Sequence, residues 1–225
     1  MSASESGGGT RRWLVIALGV LLIAALAFAI GRFSTFGDTS ASANTPTTDS
    51  ADAGFARDMQ VHHAQAIQLA MEIYRKTDDA ELRSLAYDIA TGQSAQKGEM
   101  YDWLVTWGLP QAGGPMMAWM NEPKGGHDHG GAAATPLTDA QARKAMGMAT
   151  DAETASLEDA TGTRADCLFL TLMIRHHEGA IPMADAAMRL ASTPRVIAVA
   201  QSMKAGQSAE IDAMKSIQQR LGCTG

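Results

Sequence analysis

Residues 175–185 read RHHEGAIPMAD, and residues 61–70 read VHHAQAIQLA. Both place a histidine pair inside a run whose neighbours have helical spacing, and the first adds Gly179 and Pro182 close behind its pair. A shift of 114 residues, the distance from His62 to His176, superposes the two stretches and pairs His63 with His177. The same shift pairs Phe55 with Phe169, Met59 with Met173, Ala66 with Ala180, Ile67 with Ile181 and Ala70 with Ala184. It also pairs GQSA at 92–95 with GQSA at 206–209, Met100 with Met214, and Gly108 with Gly222. A register kept without a gap over this length marks an internal duplication.

The repeated unit is a helical hairpin. Phe55, Met59, His62, Ala66, Leu69 and Ile73 alternate steps of four and three, which is one buried helix face. Asp78 followed by Glu81 has the spacing of a capping box and starts a second helix, with Leu82, Leu85, Ile89, Gln93, Gln96, Met100, Trp103 and Trp107 on its inner face. Residues 108–110 (GLP) end it. In the second copy the spacing predicts helices over 164–191 and 194–221, the latter opening on Pro194, a favoured first helical residue. One such hairpin cannot cover its own apolar face, so two copies predict an all-α, antiparallel four-helix bundle with pseudo-twofold symmetry. The duplicated domain spans 54–222, with hairpins at 54–108 and 164–222 and a connector at 109–163 that contains a short helix over 138–149.

Upstream, residues 13–30 (WLVIALGVLLIAALAFAI) form an uncharged apolar run behind Arg11 and Arg12. With its flanks, to residue 33, it is long enough to cross a bilayer, and the arginine pair keeps residues 1–12 in the cytoplasm. The competing reading is a cleaved signal peptide with its site at residues 41–43 (ASA), but the core is long and that site lies far downstream. The expectation is a single-pass cell-membrane protein with a flexible tether at 34–53 and an extracytoplasmic C-terminal domain.

With 18 basic against 24 acidic residues and no basic run, the chain lacks the electrostatic footprint of a nucleic-acid binder. Cys167 and Cys223 are the only cysteines and fall at the same end of the second hairpin, which predicts a disulfide in an oxidising compartment. They form neither a CxxC nor a CxxCH motif, and nothing points to a haem or a nucleotide.

Each repeat sets a methionine three and four residues before its histidine pair, so Met59, His62 and His63 share a helix face, as do Met173, His176 and His177. Imidazole with thioether suits copper, Cu(I) in particular, better than magnesium, calcium or manganese. Gln93, Gln96, Gln207 and Glu210 sit where a bundle core is otherwise apolar, at the level of the histidines, and are positioned to hydrogen-bond the far imidazole nitrogens. Gly179 would admit a neighbouring helix, and Pro182 would free the Glu178 carbonyl and bend the helix beside the cluster. The competing reading makes the four histidines hydrogen-bonded core residues of a structural accessory subunit of a membrane complex. Met116, Met117, Met120, His127 and His129 form a possible second metal site in the connector, or a Gly-rich loop whose methionines cap the bundle.

The segments MQVHHAQAIQLA with GQSAQ, and FLTLMIRHHEGAIPMADAAM with GQSAEIDAM, resemble the two halves of the domain of unknown function 305 family. The resemblance implies a ferritin-like, exported, non-catalytic bundle similar to copper-binding proteins of metal tolerance, with Met59, His62, His63, Met173, His176 and His177 as ligands. The first half carries Gln96 and Lys97 where the second has Glu210 and Ile211. The sequence argues against a di-iron oxidase, since no Glu is followed three residues later by His.

Overall fold

A computed structural model describes residues 45–121 and 137–223. Its elements are α1 (Ala51–Lys76), α2 (Ala80–Thr106), a 3-10 turn (Ala118–Met120), α3 (Asp139–Ala145), α4 (Asp151–Asp159), α5 (Gly162–Leu190) and α6 (Pro194–Leu221), and no strand occurs among the described residues. The proposed anchor at 13–33, and His127 and His129, lie outside the described residues. Among those described, no helix is long and apolar enough to cross a membrane.

Two hairpins, α1–α2 and α5–α6, pack through their first helices. Phe55, Met59, His62, Ala66, Leu69 and Ile73 are all fully buried, so the alternating stripe is the core face of α1, and Phe169, Met173, His176 and Ala180 repeat it on α5. The core falls into two apolar clusters. One joins the C-terminal half of α1 to the N-terminal half of α5, and the other joins Phe55 and Met59 of α1 to Met183 and Ala187 of α5. That pairing makes α1 and α5 antiparallel, and they meet at the histidine pairs.

Several boundaries differ from the sequence reading for identifiable reasons. The tether expected to reach residue 53 stops earlier: Ser50 caps α1, and Arg57 holds Thr48 through its carbonyl at 2.7 Å and its hydroxyl at 3.1 Å. Helix α2 is capped by Asp79 rather than Asp78; its carboxylate accepts from Leu82 N at 2.9 Å and takes both Arg220 guanidinium nitrogens of α6 at 2.7 and 2.9 Å. That guanidinium holds the Asp79 carboxyl down at about 2. The helix expected over 138–149 ends at Ala145, and α4 follows it, with its own capping box at Thr150 and Glu153.

The duplication extends to a pair of aspartates absent from the sequence reading. Asp52 accepts from Ser192 N at 3.0 Å and Thr193 N at 2.8 Å, so the first hairpin holds the turn of the second. Its repeat mate Asp166 faces Thr77 in the turn of the first. At the outer end, Cys167 and Cys223 are joined by a disulfide that closes a loop of 56 residues.

Gly179 is where the structure corrects the sequence most directly. The neighbour it admits is not a helix but the connector backbone, since a Cβ there would lie 2.0 Å from the Met146 carbonyl oxygen and 2.7 Å from Gly147 N. We predict that Gly179→Ala costs about 1–3 kcal/mol by overpacking against backbone that cannot swing aside. Gly206→Ala, in helical backbone with nothing within 4 Å of the new Cβ, gains about 0.5–1 kcal/mol. Urea unfolding of the two variants checks the opposite signs. Reducing the disulfide is expected to lower the same transition by about 2–4 kcal/mol.

Candidate metal centre

The four histidines occupy the level at which α1 and α5 cross, between the two apolar clusters, and all four are fully buried. His62 and His176 meet across the crossing, their rings stacked with centroids 3.6 Å apart and planes 30° apart. His63 and His177 each turn about 100° away along their helices, toward the second helix of their own hairpin. There His63 Nε2 donates to the Gln96 amide oxygen at 2.8 Å, and His177 Nε2 donates to the Glu210 carboxylate at 2.7 Å. The sequence reading assigned this supporting role to four residues, and two of them take it. Gln93 and Gln207 are only 4% and 5% exposed, yet neither amide oxygen nor nitrogen has a protein partner.

His62 has a support that no side-chain pattern reveals. Its Nε2 donates to the backbone carbonyl of Met146 at 3.0 Å. Met146 begins a strap, residues 146–149 (MGMA), that crosses from α5 to α1. Gln65 clamps the far end, donating to Ala149 O at 2.8 Å and accepting from Ala149 N at 2.7 Å. Arg175 reaches Gly147 O at 3.3 Å and Met148 O at 3.4 Å while pairing with both Glu153 oxygens at 2.7 Å. Within RHHEGAIPMAD, Arg175 anchors the strap, Gly179 makes room for it, and His176 lies beneath it. A pocket of about 840 Å3 borders the strap, lined by Gln65, Met148, Arg143, Lys144, Arg175 and Glu153 among others.

With Nε2–H donated at His62, His63 and His177, the lone pair of each ring falls on Nδ1. None of these Nδ1 atoms has a protein partner, and His176 has none at either nitrogen. Leaving such an atom buried and unpaired costs about 1–3 kcal/mol. Met59 and Met173, one helical turn before the pairs, are also fully buried. The layer thus gathers imidazole nitrogens, with the Met59 thioether in the apolar cluster on one side and the Met173 thioether in the cluster on the other, donor types fitted to a soft cation. Among the described residues no three His, Cys, Asp or Glu side chains converge as a finished cage, because stacking aligns the faces of His62 and His176 rather than their lone pairs.

Met116, Met117 and Met120 pack half-buried against the core, and Asp58 holds them there by accepting from Met117 N at 2.7 Å and Trp119 Nε1 at 2.8 Å.

Residues 52–218, covering both hairpins and the histidine layer between them, match the family described as Domain of unknown function (DUF305). The chain belongs to the DUF305 family. A candidate secreted DUF305 protein from Streptomyces coelicolor has a crystal structure similar to this chain, at 37% identity and a TM-score of 0.67, covering 79% of this chain and 96% of that one. A DUF305 fragment from Deinococcus radiodurans is similar at 30% identity and a TM-score of 0.61, over 76% and 96% of the two chains. CopM in its Cu(II)-bound form is similar at 26% identity and a TM-score of 0.54, over 76% and 96%, and its Cu(I)-bound form at 25% and 0.54, over 75% and 96%. None of the curated proteins matches the sequence.

Burial pushes His62 down to about 3, with the neighbouring His63 adding to the shift, pushes His63 down to about 4, and holds His176 well below the usual imidazole range. Because the unfolded chain takes up protons near pH 6.5 that these folded rings refuse, stability is fully present above pH 6.5 and falls as pH drops toward 4. The limiting slope is about 1.4 kcal/mol per pH unit for each histidine. Chemical denaturation of the metal-free DUF305 chain between pH 7 and 5, before most carboxylates titrate, is expected to show this loss. A His62→Leu/His176→Leu variant should show a visibly flatter profile.

Proposed function

We propose that this DUF305 protein is a non-catalytic copper-binding protein of the extracytoplasmic side. In this reading Met59, His62 and His63 with Met173, His176 and His177 hold copper in a ferritin-like four-helix bundle, for sequestration or relay. Residues 13–33 tether the domain to the membrane, as the apolar run behind Arg11 and Arg12 suggests.

The observation that carries the reading is the set of buried imidazole nitrogens without protein partners. Histidines kept only as core residues would have both nitrogens satisfied, since each orphan costs stability. A metal ligand needs the opposite: one nitrogen hydrogen-bonded, which fixes the tautomer and raises basicity, and the other free. His62, His63 and His177 have that arrangement. His176, held at neither nitrogen, is the ring that can turn out of the stack and complete the ligand set. Support also comes from CopM, a similar protein with structures in Cu(I)-bound and Cu(II)-bound forms. The chemistry is holding and releasing an ion, and no residue pattern in the chain supplies an oxidase centre.

Copper uptake by the full chain, purified without added metal or chelator, tests this. Replacing all four histidines by Leu, close in volume, is expected to remove the core-bound ion while far-UV circular dichroism stays unchanged. Met59→Leu/Met173→Leu should weaken Cu(I) about tenfold or more and leave the fold intact. Undiminished uptake by the four-histidine variant would rule out the core and move attention to the segment bearing His127 and His129.

A further inference from the structure

The duplication supplies two half-sites with the same ligand types but different supports. In the first, both acceptors are neutral: the Gln96 amide oxygen behind His63 and the Met146 carbonyl behind His62. In the second, His177 is backed by the Glu210 carboxylate, and His176 has no protein acceptor. Gln96 and Glu210 are related by the same 114-residue shift that relates the histidines, and each lies within 2.8 Å of its imidazole. The two half-sites thus differ at an equivalent position by an amide against a carboxylate.

That difference is electrostatic. Moving an ion from water into a dry interior costs free energy that rises steeply with its charge, and a second positive charge is tolerated only where an opposite charge accompanies it. A monovalent ion among neutral imidazoles and a thioether leaves a net charge of about one in the first half-site. A divalent ion would leave about two there, but only about one in the second, where Glu210 contributes its negative charge. The Glu210 side chain is 28% exposed, so it lies at the edge of the core while its carboxylate contacts the buried His177 ring. A carboxylate on the distal nitrogen also makes an imidazole the stronger donor, which suits the harder of the two copper ions.

Resting on the copper reading above, the geometry points to a division of labour in which the Met59, His62 and His63 half-site holds monovalent copper and the Met173, His176 and His177 half-site, supported by Glu210, takes divalent copper. Glu210 is a positioning and charge-compensating residue and not a ligand. The fold thus has the means to hold both oxidation states, one in each copy of the hairpin.

The test exchanges the supports without touching a ligand. Affinities of the full chain for Cu(II), and for Cu(I) under anaerobic conditions, are measured by competition with chelators selective for each state. Electron paramagnetic resonance follows the bound Cu(II). Glu210→Gln is expected to weaken Cu(II) by about ten- to a hundredfold and to change Cu(I) affinity much less, raising the potential of the bound ion by about 59 mV for each tenfold change in the ratio. Gln96→Glu, the reverse exchange, should add a second equivalent of Cu(II) with a spectrum like the first. Both changes are isosteric, and an unchanged thermal midpoint of the metal-free protein shows that the fold is retained. A Glu210→Gln protein with the wild-type Cu(II)/Cu(I) ratio, or a Gln96→Glu protein that still takes one Cu(II), overturns the division of labour while leaving copper binding in place. Wild-type protein that takes no copper beyond what the four-histidine variant takes overturns both.

Discussion

Four imidazoles set into the crossing of α1 and α5 are the constraint around which the rest of the domain is arranged. Above and below them the core is aliphatic and aromatic, held by dispersion and by exclusion of water. The histidine layer cannot be held that way. Each ring carries a donor and an acceptor, and an unpaired polar atom in a dry interior costs as much as a good apolar contact gains. The positions of Gln96, Glu210 and Met146 follow from this requirement, since each supplies an acceptor for one Nε2–H. Arg175, Gln65 and Gly179 follow at one remove, because they hold or admit the strap that carries Met146.

Duplication explains why the layer is symmetric, and the connector explains where the symmetry ends. Two copies of one hairpin bring identical side chains to a twofold crossing, which is why His62 stacks on His176 and why Asp52 and Asp166 each reach the turn of the opposite hairpin. A single connector can cross that level on one side only. Gln65 and Gly179 occupy equivalent positions in the two copies. One became a clamp for the strap and the other a gap beneath it. The strap's Met146 carbonyl is taken by His62, and His176, beneath the same strap, has no hydrogen-bonded partner at either ring nitrogen.

The parts of this architecture that depend on side-chain periodicity were legible in the sequence, and the parts that depend on backbone atoms were not. The stripe from Phe55 to Ile73, the start of α6 at Pro194 and the matching burial of Met59 and Met173 all follow from spacing and repetition. The Met146 carbonyl has no such signature, because any residue presents the same oxygen. Gly179 announced a close approach but not by what, so a helix was expected where a strap arrives. Asp78 has the capping-box spacing with Glu81 and Asp79 does not, yet Asp79 is the cap, where its carboxylate also takes Arg220 of α6, a contact that spacing along the chain does not show. Gln93 shows the opposite limit: its burial was readable from the helix face, whereas its lack of any protein partner was not. Asp52 lay in a stretch whose small polar residues read as tether, and its role appears only when the second hairpin is set beside the first.

In the copper reading proposed above, a proton and a soft metal ion compete for the same orphaned nitrogens, and the surroundings decide between them. A proton converts a neutral ring to a cation inside an apolar core and finds no carboxylate beside His62 or His63 to offset it, so burial drives their affinity for protons down. Cuprous ion carries the same single charge, but it can share that charge among several nitrogens and the polarisable sulfur of a buried methionine. Lowering proton affinity therefore keeps the lone pairs open at ordinary pH without lowering their capacity to bind a soft ion. The cost is borne by the stability of the metal-free fold, and it is offset by the disulfide, by the Asp52 and Asp166 contacts with the opposite turns, and by two continuous apolar clusters on either side of the layer. On that reading, a chain whose core were apolar throughout would be more stable and would have nowhere to put the ion.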